Sequence, residues 1–157
     1  MKPSTLTLAG ALLVAGTLGA SAASVQKSID VKASADKVWA MIGPFCSIKD
    51  WHPAIGQCTE AGGVRTLTTK DGKAQFVEKQ TASDEKGMMY SYAIEKSPLP
   101  ITDYVSTIKV VPKGDGMSTV EWSSTFTPDK GKEQDAETAI SGIYQAGLDN
   151  IQKQGGM

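Results

Sequence analysis

The sequence predicts an α+β domain: a curled, seven-stranded antiparallel sheet around one long C-terminal helix, with two short helices after the first strand. Three observations carry this. Residues 55–126 alternate strand-like segments with hairpin chemistry, so neighbouring strands run antiparallel. Residues 132–154 repeat apolar side chains at steps of three and four, which is the pattern of an amphipathic helix. A sheet of seven strands is long enough to curl, and the helix must bury its stripe somewhere, so the economical arrangement wraps one around the other.

Ahead of the domain, Met1-Lys2-Pro3 leads into an uncharged apolar run from Leu6 to Leu18, followed by the small-x-small pattern Ala20-Ser21-Ala22. A basic start, a short apolar core and a cleavage site predict a secretory signal peptide over residues 1–22. The run is too short for a membrane span. The expected location is therefore periplasmic or secreted, without stable membrane insertion, and the domain is residues 23–157.

Val25, Lys27, Ile29 and Val31 alternate with polar residues, predicting a first strand with one covered face. Ser34 is a helix N-cap with Asp36 in the first turn, Val38, Trp39 and Ile42 form the apolar face, and Gly43-Pro44 ends the helix. A second short helix is expected from Cys46 to Trp51, stopped before Pro53. Strands follow from Ile55, over Val64–Thr69, Ala74–Gln80, Met88–Lys96, Tyr104–Val111 and Ser118–Phe126. Lys70-Asp71-Gly72-Lys73 is a hairpin turn, and Ser97-Pro98-Leu99-Pro100 is a connection, because its prolines cannot donate to a ladder. In the last helix, Ala136, Ile140, Ile143, Tyr144, Gly147 and Ile151 fall on the inward face. Gly147 there serves either close helix–strand packing or space for a ligand.

Sixteen Lys and Arg stand against seventeen Asp and Glu, a net charge of −1 that becomes −2 without Lys2 of the leader. There is no basic stripe, which excludes a nucleic-acid partner. The lone His52 excludes a multi-histidine metal site, and no cofactor is expected. A Ser-His-Asp arrangement with Asp50 lacks any Gly-x-Ser-x-Gly nucleophile. Cys46 and Cys58, in an exported chain, predict a disulfide worth roughly 3 kcal/mol through the loop it closes; a metal or redox thiol pair is disfavoured because the spacing is far from Cys-x-x-Cys.

The element order, with Ser34-Ala35-Asp36-Lys37-Val38-Trp39 opening the first helix, resembles the SRPBCC (START-like, polyketide cyclase/dehydrase-like) superfamily, whose fold is a helix grip. The resemblance covers residues 25–154. The stretch from Phe45-Cys46 through Asp50-Trp51-His52-Pro53-Ala54 to Cys58, with Ser97-Pro98-Leu99-Pro100, is similar to a secreted bacterial branch that includes MxaD-type accessory proteins of methanol oxidation. The resemblance implies a cavity between sheet and helix, and a scaffold that hosts several functions. One is a non-catalytic periplasmic protein that binds a small apolar molecule or helps a quinoprotein dehydrogenase pass electrons to its cytochrome. Another is a cyclase or dehydratase using His52, Glu78 and a tyrosine as acid and base. A third is a plain lipid or quinone carrier.

Alternation along the strands supplies candidates for the cavity lining: Tyr90 and Tyr92 on one strand, Tyr104 on the next, and Trp122 on the last. Tyr144 joins them from the helix, and Trp51 and His52 from the expected cavity lip. Aromatic bodies with polar tips suit a partly apolar ligand, and equally suit a core whose polar tips are satisfied internally. Phe76 shares a strand face with Glu78. If Phe76 points inward, Glu78 is a carboxylate in the cavity with a raised pKa. If Val77 does, Glu78 is solvated or pairs at the rim with Arg65 or a lysine.

Overall fold

The structure, a computed structural model, describes residues 21–156, so the expected signal peptide lies, but for its last two residues, outside the described residues. In chain order the elements are β1 (Ala23–Val31), α1 (Ala35–Ile42), a 3-10 turn (Phe45–Ser47), α2 (Ile48–Trp51), β2 (Ile55–Ala61) and β3 (Val64–Thr69). They continue with β4 (Gln75–Asp84), β5 (Met89–Lys96), β6 (Ile101–Gly114), β7 (Met117–Pro128) and α3 (Glu133–Gly155). The seven strands form one antiparallel sheet in the order β1-β7-β6-β5-β4-β3-β2. Strands β2 to β7 are a meander, and β1 closes on β7 with Ala23 opposite Phe126 and Val31 opposite Ser118.

Local chemistry accounts for the boundaries. The Ser34 hydroxyl accepts from the Lys37 N–H and Gly43 caps the other end of α1. The expected helix over Cys46–Trp51 is split: a 3-10 turn carries Cys46, and only Ile48–Trp51 is α-helical. β6 starts earlier than Tyr104, directly after Pro100, because a bulge between Thr102 and Val105, with Asp103 at φ 51°, absorbs the irregularity. It also runs past Pro112. The Val110 N–H faces Met88 on the β5 side, so Pro112 points its missing donor to that same side, where β5 has ended.

The core lies between the inner face of the sheet and α3. Val120, Trp122 and Phe126 of β7, Ile108 and Val110 of β6 and Tyr90 and Tyr92 of β5 are buried against Ala136, Ile140, Tyr144, Leu148 and Ile151 of the helix. α1 and α2 cover the remaining edge with Val38, Ile42, Ile48 and Trp51. Gly147 is there for close approach: a Cβ on it would sit 2.8 Å from His52 Cδ2, 2.9 Å from Trp122 Cζ3 and 3.1 Å from Trp51 Cζ3. Cys46 and Cys58 are disulfide-bonded, tying the 3-10 turn to β2.

Candidate functional site

Between the sheet and α3 lies a cavity of about 240 Å³. Its sheet wall is built by Leu67 of β3, Phe76 and Glu78 of β4, Tyr92 of β5, Tyr104 of β6 and Trp122 of β7. Ile140, Ile143 and Tyr144 close it from the helix, and Ile48 and His52 from α2 and its C-cap. Ile48 and Leu99 had no strand periodicity to announce them; they reach the cavity because α2 and the 97–100 connection fold over its mouth.

Six of the residues expected to line a cavity do so: His52, Phe76, Tyr92, Tyr104, Trp122 and Tyr144. Trp51 and Tyr90 do not. Trp51 lies behind the wall, edge-on to Trp122 with ring centroids 5.5 Å apart, and fills the space above Gly147. Tyr90 packs edge-on against Phe45 at 5.6 Å and beside Trp39, so its ring belongs to the packing under α1. Both are fully buried core residues.

Phe76 and Glu78 both face inward and Val77 does not, by plain alternation along β4, which stays in register with β3. Glu78 does pair with Arg65, but not at a rim. The two are direct cross-strand partners, with Arg65 Nε donating to Glu78 Oε2 at 2.7 Å. Arg65 Nη2 lies 2.7 Å from the same oxygen without the alignment of a hydrogen bond. The guanidinium also donates through Nη1 to the Phe45 carbonyl and lies 3.9 Å above the Phe45 ring centroid. Arg65 is missing from the cavity wall and stands behind Glu78. Burial pushes the Glu78 carboxyl above its ordinary value, against the opposing pull of Arg65. Burial works against the charge on Arg65, yet Glu78 beside it outweighs that and holds the guanidinium charged. One signal of a buried Arg65 was present in the sequence: it lies two residues from Leu67, on the same strand face.

The opposite side of the wall is a hydroxyl cluster. Trp122 Nε1 donates to Ser106 Oγ at 3.0 Å and to Tyr92 at 3.1 Å, Ser106 lies 2.8 Å from the Tyr144 oxygen, and Tyr144 lies 2.5 Å from that of Tyr104. Trp122 and Tyr144 stack with centroids 4.2 Å apart. Burial raises the pKa of Tyr92, Tyr104 and Tyr144, so all three present neutral hydroxyls.

His52 is 4% exposed and both ring nitrogens are committed to the backbone. Nε2 donates to the Ile143 carbonyl at 2.9 Å, and Nδ1 accepts from the Ala54 N–H at 3.2 Å. Burial lowers its pKa despite the Ile143 bond, which keeps the ring neutral. It joins α2 to α3 and offers the cavity a carbon edge, with no free lone pair to take a proton. Among the described residues no group of three or more His, Cys, Asp or Glu is placed to hold a metal ion, and no helix is long and apolar enough to cross a membrane.

A curled antiparallel sheet gripping a long helix over an internal, mostly apolar cavity is the architecture of the START-like, or SRPBCC, superfamily. Within it, the chain belongs to the family described as polyketide cyclase/dehydrase and lipid transport, whose model matches residues 22–155. Solved structures agree. A protein of Bacillus thuringiensis is 36% identical, with TM-score 0.81, covering 84% of this chain and 98% of its own. The protein XoxI of Bacillus cereus is 37% identical, with TM-score 0.80, covering 85% of this chain and 95% of its own. The ZhuI aromatase/cyclase of Streptomyces sp. R1128, at 15% identity and TM-score 0.68 over 86% of this chain and 94% of its own, shares the fold alone. Comparison with curated protein sequences returned no match.

Proposed function

We propose that the protein binds one small, predominantly apolar molecule between the sheet and α3, and acts through that binding. The observation that supports this most is the cavity itself, apolar over most of its wall, with its polar side chains at Glu78, Thr69, His52 and the tyrosine cluster. At about 240 Å³ it lies below the roughly 300–1,000 Å³ typical of drug-sized ligands. That favours a compact molecule over a two-chain lipid. Native mass spectrometry of protein purified from its own host tests the reading. A single co-purified small molecule, displaced in the cavity-filling variant Ile143→Phe, is expected; protein that is empty in repeated preparations would count against it.

The leader sequence and the Cys46–Cys58 disulfide support an exported, oxidising setting. There, the resemblance of residues 45–58 to MxaD-type proteins supports a periplasmic quinoprotein dehydrogenase and its cytochrome as partners. Electron transfer between the two should accelerate when the protein is added, and an unchanged rate removes that partnership.

A buried carboxyl with a raised pKa on the cavity wall favours one other reading, acid–base chemistry on the bound molecule. Glu78 would be its acid, and a neighbouring hydroxyl rather than His52 its partner. Loss of turnover in a folded Glu78→Gln protein is the expected sign, and full turnover in that variant excludes it.

A further inference from the structure

The side-chain donors of the cavity wall can be followed one by one, and each is spent inside the protein. Trp122 Nε1 donates to Ser106 and Tyr92. Tyr92 passes its own proton to the Tyr104 oxygen beside it. Ser106 gives its proton to the Ser123 carbonyl at 2.9 Å, so Tyr144 donates to Ser106 and Tyr104 to Tyr144. The His52 Nε2 proton goes to the Ile143 carbonyl, and the Thr69 hydroxyl donates to Asp71 at 2.6 Å. Among the described residues the wall has no side-chain donor left for a ligand.

One charged acceptor is left. Glu78 lines the cavity and is 6% exposed. Arg65 occupies its Oε2 from behind the wall, and among the described residues no donor reaches Oε1. Nor is Oε1 sealed off, unlike Ser47 Oγ, Trp51 Nε1, Arg65 Nη2 and Ser124 Oγ, which the core encloses without a partner. It stays open to the cavity. A buried carboxylate oxygen without a donor is costly, and no side chain around it relieves that cost.

Resting on the binding reading above, we propose that Glu78 Oε1 is the recognition point of the cavity: it accepts from a hydroxyl or N–H of a neutral, otherwise apolar ligand, and the cavity rejects molecules whose polar atoms only accept. The selection follows from the donor count. A ketone, ether or ester meets no side-chain donor on the wall and leaves Oε1 bare. A carboxylate does the same and brings a second negative charge beside Glu78. An ammonium donates, but Arg65 already balances the Glu78 charge, so a cation would exchange its hydration for a pair with no net charge. A neutral donor satisfies Oε1 without that cost. A hydrogen bond to a charged group is worth roughly ten- to a hundredfold in affinity.

Four probes of similar shape test this when titrated into the protein by amide NMR shifts: p-cresol, 4-methylanisole, p-xylene and 4-methylbenzylammonium. In 4-methylanisole a methyl group replaces the phenolic proton, so the oxygen can only accept. We expect p-cresol to bind about tenfold tighter than 4-methylanisole, with p-xylene showing that the apolar cavity is open to a plain hydrocarbon. Glu78→Gln should close the gap between p-cresol and 4-methylanisole, because Arg65 holds the amide oxygen and the NH2 turned to the cavity donates to either probe. Equal affinity of wild-type protein for p-cresol and 4-methylanisole overturns the donor proposal, and binding of p-xylene then leaves the cavity reading standing. Tightest binding of 4-methylanisole overturns it too, since the wall would then donate through a protonated Glu78. Tightest binding of 4-methylbenzylammonium overturns it in favour of a cation site. If none of the four shifts residues of the cavity wall, the binding reading itself fails.

Discussion

Arg65 and Glu78 face each other directly across β3 and β4 as an ion pair whose side chains are 0% and 7% exposed. The pair forms a polar seam in an apolar wall, and each charge there depends on the other, because an isolated buried ion is far more costly than a paired one. Arg65→Met should therefore destabilise the fold by about 3–5 kcal/mol in urea denaturation, since it strands the carboxylate. Arg65→Met combined with Glu78→Leu should recover most of that loss. The single variant should also become more stable as pH falls, because protonation discharges Glu78. A single variant no less stable than the double one would show that Glu78 takes up a proton once Arg65 is gone.

That pair also marks where the sequence stopped being readable. The order of elements along the chain, the hairpins and the long helix follow from periodicity and turn chemistry, and the structure reproduces them. Inward-facing aromatics on β5 to β7 were equally visible, because alternation is strict there. The β4 face was ambiguous, since Phe76, Val77 and Glu78 fit either orientation until the pairing of Glu78 with Arg65 and of Phe76 with Leu67 is known. A pairing register is a property of two strands together. Likewise, nothing local separates Tyr92 in the wall from Tyr90 behind it. The two share a strand face, and only the seating of Phe45 and Trp39 over Tyr90 distinguishes them.

The two glycines inside α3 should respond to alanine with opposite signs. At Gly142 a Cβ meets nothing within 4 Å, so Gly142→Ala should stabilise the protein by roughly 0.5–1 kcal/mol through helix propensity. At Gly147 the same gain is set against contacts of 2.8–3.1 Å with His52, Trp122 and Trp51, all in a packed core. Overpacking of that kind costs about 1–3 kcal/mol, so Gly147→Ala should be net destabilising. Melting curves of both variants decide it, and a stabilised Gly147→Ala protein would mean that the rings have room to move.

The disulfide should contribute more than chain entropy alone. It holds the 3-10 turn to β2, and the same turn presents the Phe45 ring and carbonyl to Arg65. Cys46→Ala with Cys58→Ala should lower stability by roughly 3 kcal/mol from the released loop. It should also loosen the Arg65 guanidinium, seen as broadened NMR signals of Phe45 and Arg65. Unchanged signals together with the expected loss of stability would confine the disulfide to a role in the unfolded chain.

His52 gives the protein a defined pH response. Its folded pKa is depressed below the ordinary imidazole value of 6.5, first by burial, so the unfolded chain takes up a proton before the folded one as pH falls. The stability it contributes is complete above about pH 6.5 and is lost on acidification towards the folded pKa. Protonation also removes the Nδ1 lone pair that accepts from the Ala54 N–H. Glu78 works in the other direction: its raised pKa lets the folded state hold a proton that the unfolded chain has released, so its contribution grows as pH falls. Comparing two proteins separates them. In urea denaturation between pH 7.5 and pH 5, His52→Gln, which keeps a donor for the Ile143 carbonyl, should lose stability less steeply than wild type. Parallel slopes in the two proteins would show that His52 is not the group that titrates.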